Sequence, residues 1–328
     1  MTVTTPSPAR GRAPAPTPPA TSPRTARRRP PARRTAATRT LISDADLNRG
    51  RGRLVYRVTL VTMAVLFALI FIFPLYWMIT GAVKSPVELA QPTPTLIPQT
   101  WHPETYAEAW TKLQIGRFLL NTAFYTVGGW LIQLVVDVAA AYALSKLRPI
   151  LGKLVLGMML ASLMLPAAAL LVPSYLTVVD VPIFGVNLLN TPWALWLPGA
   201  ANAFNIYVLK RFFDQIPGEL IDAASIDGAG RFRTLWSVVL PLSRPVLSVV
   251  SIFAIVGAWK DFLWPLLVLR DPEAQTISVA LSRLSFTGYV TQNEMFAGLA
   301  IASLPMIVIF MIFQRGILSG LSAGALKG

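Results

Sequence analysis

Cysteine is absent from this 328-residue sequence, and histidine occurs once, as His102. Without cysteine, the chain can have no disulfide framework, no Cys-ligated zinc site and no cysteine nucleophile. His102 stands in a polar, proline-containing stretch that lacks the partners a metal site needs, so we interpret it as a loop residue. We therefore expect neither a metal nor a cofactor.

Charged residues are also scarce. They make up 13% of the chain, against 54% apolar residues, whereas about a quarter of the residues in soluble domains are charged. This balance indicates that much of the chain has lipid rather than water around it.

The charges that are present are mostly positive and unevenly placed. The formal net charge is +14, and twelve of the 29 Lys and Arg residues are arginines within residues 1–53. Most of the others flank apolar runs. This distribution is typical of a membrane protein with a fixed orientation, so we expect no nucleic-acid partner.

Residues 1–54 are rich in Pro, Arg, Ala and Thr and lack apolar periodicity. Such a composition predicts a disordered basic tail, whose arginines either contact anionic membrane lipid or are simply solvated. We expect the membrane domain to occupy residues 55–328.

Six apolar runs follow the tail, and each is close to or above the length of about 20 residues that a helix needs to cross a bilayer. They predict an all-α membrane protein, because backbone groups in lipid must be satisfied within the segment, and the alternation of a β-barrel is absent. The runs are 58–80, 118–144, 154–176, 191–209, 247–269 and 295–313.

The connecting segments predict the orientation. Segments that would share a side with the termini carry 23 Lys and Arg residues, against 5 on the other side. Without the twelve arginines of the tail, the count is still 11 against 5. Both termini are therefore expected in the cytoplasm.

The segment between the fourth and fifth runs has the most specific pattern. Pro217 suits the first turn of a helix, Glu219 suits the helix dipole, and Gly228 suits the left-handed residue that closes a helix. A second short helix is expected to begin near Gly230 and to end at Pro241.

This second helix should have one apolar face, since four apolar residues recur at helical spacing: Phe232, Leu235, Trp236 and Val239. Such a face requires a hydrophobic surface to cover it. From the pattern alone, that surface is either a partner protein or the bilayer surface.

The same segment resembles the EAA motif of ABC-importer permeases, which reads Glu-Ala-Ala, two residues, Asp-Gly-Ala and a downstream Leu-Pro. The leading Glu of the motif is Asp222 here, which keeps the charge with a shorter reach. The matching residues are Ala223, Ala224, Asp227, Gly228, Ala229, Leu240 and Pro241. The resemblance implies that these residues, with Glu219, form a coupling helix that docks on an ATPase subunit.

Three further stretches are similar to carbohydrate-type permeases of that family. They are Ala-Tyr-Ala-Leu-Ser-Lys-Leu at 141–147, Trp-Lys-Asp-Phe at 259–262, where Lys260 replaces the usual Asn, and the Gln-Arg…Gly terminus at 314–328. Together with the EAA-like motif, they make residues 55–328 similar to the second permease of maltose-type importers.

Polar residues within the apolar runs are candidates for the translocation path. Trp259 and Asp261 could line it, with the aromatic ring stacking on a sugar, and Asn202 and Asn205 are further candidates. The alternative for such groups is bonding to a neighbouring helix, and for Asp137 we favour that alternative.

The resemblance implies a bacterial inner-membrane importer of a sugar or oligosaccharide that works by alternating access. Its expected partners are a second permease subunit, two ATP-binding-cassette ATPase subunits and an extracytoplasmic solute-binding protein. The sequence has no Gly-x-x-x-x-Gly-Lys-(Ser/Thr) phosphate-binding loop, so we do not expect an enzyme. The alternatives are a secondary transporter subunit, a membrane scaffold protein, or an ABC permease for glycerol phosphate, amino acids or peptides.

Overall fold

The computed structural model describes residues 50–325, with side chains over 52–314, and in addition Thr2. Nearly all of the predicted 1–54 tail therefore lies outside the described residues, as does the end of the stretch 314–328.

The described part of the chain is helical, and its β pairing is limited to one bridge between Val181 and Val186. Two π-helical turns, Ala143–Leu147 and Leu235–Val239, each continue an α-helix, and a 3₁₀ turn covers Pro272–Ala274. The helices in chain order are α1 (Gly50–Ala82), α2 (Pro86–Leu89), α3 (Thr105–Lys112), α4 (Ile115–Tyr142), α5 (Gly152–Ser162), α6 (Ala167–Val179), α7 (Trp193–Trp196), α8 (Ala203–Asp214), α9 (Gly218–Ile226), α10 (Arg231–Thr234), α11 (Leu240–Leu242), α12 (Arg244–Lys260), α13 (Leu263–Val268), α14 (Ile277–Ser285) and α15 (Gln292–Ala325).

Three helical stretches of the described chain are long and apolar enough to cross a membrane. They are Gly52–Ala82, Ile115–Leu147 and Gln292–Gln314, with mean hydropathies of 2.7, 1.7 and 2.5. These helices confirm that the first, second and sixth apolar runs are continuous helices. Two bent helix pairs raise the number of candidate spans to five if each pair counts as one span.

The third and fifth apolar runs are broken. α5 and α6 meet at 108°, at a break where Pro166 is extended with ψ of 131° and so cannot continue the helix. Just before the fifth run, the helical stretch Arg231–Leu242 meets α12 at 84°. α12 then ends at Lys260, because Asp261 takes an extended conformation with ψ of 128°.

The fourth run, 191–209, is not one continuous helix. Its first part holds only the four-residue α7, and α8 begins at Ala203. Asn202 starts α8 as its N-cap, since its side chain accepts the backbone N–H of Asn205 at 3.0 Å. A cap of this kind begins a new helix.

Helix α4 is at the centre of the packing. It packs against α8 and α12, and α12 packs in turn against α15. One buried cluster lies where the end of α4 meets α8 and α12, and it includes Tyr142, Phe213 and Val250. A second cluster joins the beginning of α4 to α3, α14 and α15.

The two long connecting segments each contain a helix. α3 lies in the segment between α1 and α4. The segment 270–294 contains α14, whose buried residues include Ile277, Ala280 and Leu281. Their spacing gives one apolar face, which packs into the second cluster.

Candidate functional site

The 216–241 segment folds as two short helices joined at Gly228, as its pattern predicts. Gly228 has φ of +76°, and its N–H donates to the carbonyl of Ser225 at 3.1 Å. The N–H of Ala229 donates to the carbonyl of Ala224 at 2.9 Å. This pair of bonds is a Schellman motif, and its left-handed position favours glycine. The start differs slightly from the prediction, because Pro217 is the N-cap and α9 begins at Gly218.

The surface of α9 is acidic. The side chains of Glu219, Asp222 and Asp227 are exposed, and so is Ala223 beside them, whereas Ala224 is half-buried. Ile226 is 86% exposed. The helix thus combines three carboxylates with a small flat patch and one uncovered apolar side chain.

The prediction of a single apolar face after Gly230 is wrong. The π-helical turn divides the four apolar residues between a buried side and an exposed side. Val239 is fully buried and Leu235 packs against the same core cluster. Phe232 and Trp236 are 76% and 67% exposed, with their rings stacked at a centroid distance of 6.3 Å. A π turn places more residues in each turn than an α-helix does, so the spacing no longer keeps all four residues on one side.

Side chains at the end of α4 hold both ends of this segment. The Tyr142 hydroxyl donates to the carbonyl of Arg231, and the Lys146 ammonium donates to the carbonyl of Ile216, each at 3.0 Å. Ser145 donates to Asp214 at 2.8 Å. The stretch 141–147 resembles carbohydrate-type permeases, but no role for its residues follows from the sequence alone.

Asp214, the last residue of α8, takes part in the same contact between the ends of α4 and α8. Burial alone would raise the pKa of its carboxyl, but hydrogen bonds from Lys210 and Ser145 and the charge of Lys146 hold the pKa below its usual value. The carboxylate is therefore charged at neutral pH and holds the ends of α4 and α8 together.

A cavity of about 610 Å³ lies on the other side of the α4–α8 contact. Its lining comes from α4, α6, α8, α12 and α13, and from the 195–202 stretch before α8. Three of the four predicted path residues line it: Asn202, Asn205 and Asp261. The fourth, Trp259, is buried in the interior and is not among the lining residues.

Asp137 lies against the polar end of this cavity. Its carboxylate accepts the backbone N–H of Asn202 at 2.9 Å and also contacts the side chains of Asn205 and Gln133. It is almost fully buried. The contact ties α4 to the beginning of α8, so Asp137 bonds to a neighbouring helix.

Aromatic side chains form much of the cavity wall. The indole N–H of Trp196 donates to the carbonyl of Tyr125, and that of Trp264 donates to the carbonyl of Ala194, each at 2.9 Å. A Cβ at Gly128 would lie 2.3 Å from the Trp196 ring, so glycine is required for this close approach. The indole rings are thereby fixed in the wall, a feature that the sequence reasoning missed.

Two threonines of the lining have hydroxyls without a partner. Thr126 and Thr276 are each 3% exposed, and neither hydroxyl oxygen has a hydrogen-bond partner among the described residues. In contrast, the hydroxyl of Thr122 donates to the carbonyl of Phe118 and accepts the N–H of Ile277. Buried polar groups are normally paired, so these two need an explanation.

The described residues offer no cluster of three or more His, Cys, Asp or Glu side chains that could hold a metal ion. What they do offer is a cavity lined by polar and aromatic residues among apolar helices, and an exposed helical segment that is hydrogen-bonded to the end of one of these helices. These are the features of a membrane transport protein.

The chain belongs to the family of binding-protein-dependent transport system inner membrane components, whose pattern matches residues 138–322. It is therefore a multi-pass protein of the inner membrane and a transport component rather than a catalytic subunit. The family match covers the 216–241 segment and most of the cavity lining.

Individual relatives agree with this membership. The chain is 29% identical to a diacetylchitobiose uptake system permease protein of Streptomyces coelicolor, over 81% of this chain and 87% of that protein. It is 30% identical to an sn-glycerol-3-phosphate transport system permease protein of Rhizobium meliloti, over 79% and 93%.

A solved structure shows the same fold. It is that of a bacterial ABC transporter involved in the import of the acidic polysaccharide alginate. The TM-score is 0.72 at 25% identity, with 84% of this chain and 99% of that chain covered. The relatives' solutes thus include both neutral and anionic molecules.

Proposed function

We propose that this protein is a permease subunit of an ATP-driven importer that brings a sugar or oligosaccharide into the cell. Its partners are a second permease subunit, two ATPase subunits and an extracytoplasmic solute-binding protein. Family membership supports the class of protein, and the diacetylchitobiose relative supports a sugar as solute.

The observation that carries this proposal is the direct attachment of the exposed 216–241 segment to helices that line the cavity. Lys146 and Tyr142, at the end of α4, hold the carbonyls of Ile216 and Arg231. The same helix, α4, contributes Thr126, Gly129 and Gln133 to the cavity lining. These residues lie about 20 Å along the helix from its end, at a rise of about 1.5 Å per residue.

The membrane arrangement of the proposal has six spans, with both termini in the cytoplasm and residues 55–328 as the membrane domain. The broken 191–209 run then crosses as α7, the 197–202 stretch and α8. Non-helical backbone is tolerated at that depth where it lines a cavity, and Pro198, Gly199 and Asn202 do so.

The 216–241 segment then faces the cytoplasm and docks on an ATPase subunit. Its carboxylates, Glu219, Asp222 and Asp227, set the charge of the contact, and the exposed Ile226, Phe232 and Trp236 supply its apolar part. Ala223, Ala224, Gly228 and Ala229 allow close approach, and Pro241 precedes the bend into α12.

Alternating access follows from this coupling. Closure of the ATPase subunits on ATP displaces the docked segment, and the tie between α4 and α8 carries that displacement to the cavity wall. Asn202, Asn205 and Asp261 are among the polar groups of this chain that meet the solute. Trp259, being buried behind the lining, supports the wall.

The test is uptake by the assembled importer. The chain is purified with its co-encoded partners, reconstituted in liposomes with the binding protein outside, and assayed for solute uptake with and without ATP inside. We expect uptake that needs internal ATP, survives an uncoupler and is lost with Asp222→Arg. Uptake that needs no ATP and collapses with the ion gradient would instead establish a secondary transporter.

A further inference from the structure

The cavity of about 610 Å³ has a distinctive charge. Among its described lining residues, Asp261 is the one Asp or Glu, and no Lys, Arg or His is present. A second carboxyl group, that of Asp137, contacts the lining through Asn202, Asn205 and Gln133. The described cavity of this chain therefore holds two carboxyl groups and no basic side chain.

Cations near the cavity are occupied elsewhere or lie outside it. Arg270 donates to the Tyr175 hydroxyl, and Arg117 pairs with Glu273 at 2.7 Å. Lys260 is exposed and is not part of the lining, although it precedes Asp261. An anionic solute would thus enter a partly desolvated space that holds two carboxyl groups and, among the described residues of this chain, no compensating cation, which is unfavourable.

The uncharged polar groups of the lining suit a polyhydroxylated solute. Gln133, Asn202 and Asn205 carry amides, which both donate and accept hydrogen bonds, as sugar hydroxyls do. The aromatic side chains of Trp196 and Trp264 also line the cavity. A volume of about 610 Å³ also lies within the usual range of small-molecule sites, roughly 300–1,000 Å³.

The unpartnered hydroxyls of Thr126 and Thr276 provide a second, independent indication of a ligand. Thr276 occupies the N-cap of α14, yet its side chain makes no capping bond, although threonine at that position usually does. The N–H of Ile277 goes to Thr122 instead. The two oxygens are covered by neighbouring atoms in this conformation, so a solute reaches them when the walls move.

We propose that this cavity binds an uncharged, polyhydroxylated solute, a neutral sugar rather than a uronate or a sugar phosphate, with Thr126 and Thr276 as hydroxyl-binding groups. This inference rests on the proposed import function and names its substrate class. The inference assigns the chain a neutral rather than an anionic solute, and the relatives include permeases for both kinds.

The experiment uses the complete reconstituted importer with its binding protein. Neutral probes are maltose, melibiose and diacetylchitobiose, and anionic probes are digalacturonate and glycerol 3-phosphate. Thermal shift of the binding protein identifies the probes it carries, and ATPase stimulation identifies those the importer accepts. We expect stimulation by a neutral probe at least tenfold above that by any anionic one.

Isosteric variants test the two hydroxyls. Thr126→Val and Thr276→Val should each raise the half-saturating solute concentration about three- to tenfold, the effect of one lost hydrogen bond, with maximal ATPase rate retained. Thr177→Val is the matched control, since Thr177 lies outside the cavity lining and its hydroxyl donates to the carbonyl of Pro173 in its own helix.

The outcomes separate this inference from the function itself. ATP-driven uptake of an anionic probe alone would overturn the inference and leave the import function intact. Unchanged half-saturation in both threonine variants would overturn the assignment of the hydroxyls. No ATP-driven uptake of any probe that the binding protein carries would overturn the proposed function.

Discussion

The two ends of α4 each hold a neighbouring segment by side-chain hydrogen bonds to backbone carbonyls, but the held segments differ. At the beginning of α4, Asn121 and Tyr125 donate to carbonyls of the 273–277 segment at 2.8 to 3.1 Å. At its end, Tyr142 and Lys146 hold the 216–241 segment at 3.0 Å.

Burial distinguishes the two segments. Gln275, Thr276 and Ile277 are 2–3% exposed, so residues 275–277 of this segment are covered within this chain. Phe232 and Trp236 of the 216–241 segment are largely uncovered. The first contact completes the fold of the chain itself, whereas the second presents a surface that needs a partner.

The largest expected effect comes from substitutions in the exposed 216–241 segment. Phe232→Ser with Trp236→Ser should weaken association with the ATPase subunit by 100-fold or more, since buried aromatic anchors are each worth about 2–4 kcal/mol at an interface. Melting temperature of the isolated permease should stay unchanged. Leu235→Ser, in the packed half of the turn, is the control and should lower the melting temperature instead.

Thr122→Val removes a hydrogen bond to the buried part of the 273–277 segment. The substitution leaves the N–H of Ile277 without its acceptor inside the protein, which costs about 1–3 kcal/mol. Thermal unfolding in detergent should show the loss. Thr126→Val is the matched control on the same helix, because its hydroxyl has no hydrogen-bond partner to lose among the described residues. Equal destabilisation by both variants would contradict the distinction.

Gly228→Ala tests whether the exposed segment needs a left-handed backbone conformation at this position. A non-glycine residue at φ of +76° costs about 1–2 kcal/mol, although no atom lies within 4 Å of the new Cβ. Solute-stimulated ATPase activity should fall accordingly. Gly230→Ala meets equally open space at φ of −68° and should behave as wild type; similar losses in both variants would point to a steric contact with the partner.

Tyr142→Phe has the smallest expected effect. It removes one hydrogen bond, to the carbonyl of Arg231, worth about 1 kcal/mol. The expected result is fewer solute molecules transported per ATP hydrolysed, with assembly unchanged. A variant with the wild-type ratio would show that this bond does not take part in transmission.

Sequence patterns predicted the continuous helices well because hydropathy and length alone decide them. α1 has no charge between residues 58 and 80, and nothing within it overrides its helical preference. Breaks depend on local bonds as well. Pro166 and the Asn202 cap both interrupt apolar runs that remain long enough to span.

For the site, spacing predicted the Gly228 turn because its chemistry is local. The split of Phe232 and Trp236 from Leu235 and Val239 depends on a π turn, which helical periodicity of 3.6 residues cannot foresee. The cavity residues Thr126 and Thr276 come together only through packing of distant segments. α14 was foreseeable, since Ile277, Ala280, Leu281 and Leu284 have helical spacing.

The most direct test of the coupling proposal uses the absence of cysteine. A single cysteine at the exposed Ala223 is compared with one at Ile183, a fully exposed residue of the 181–186 turn, each in the assembled complex. Ala223→Cys should cross-link to the ATPase subunit with a yield that changes on ATP binding, and Ile183→Cys should not. Cross-linking to the ATPase from Ile183 alone, or no cross-link from Ala223 under any nucleotide condition, would contradict the account.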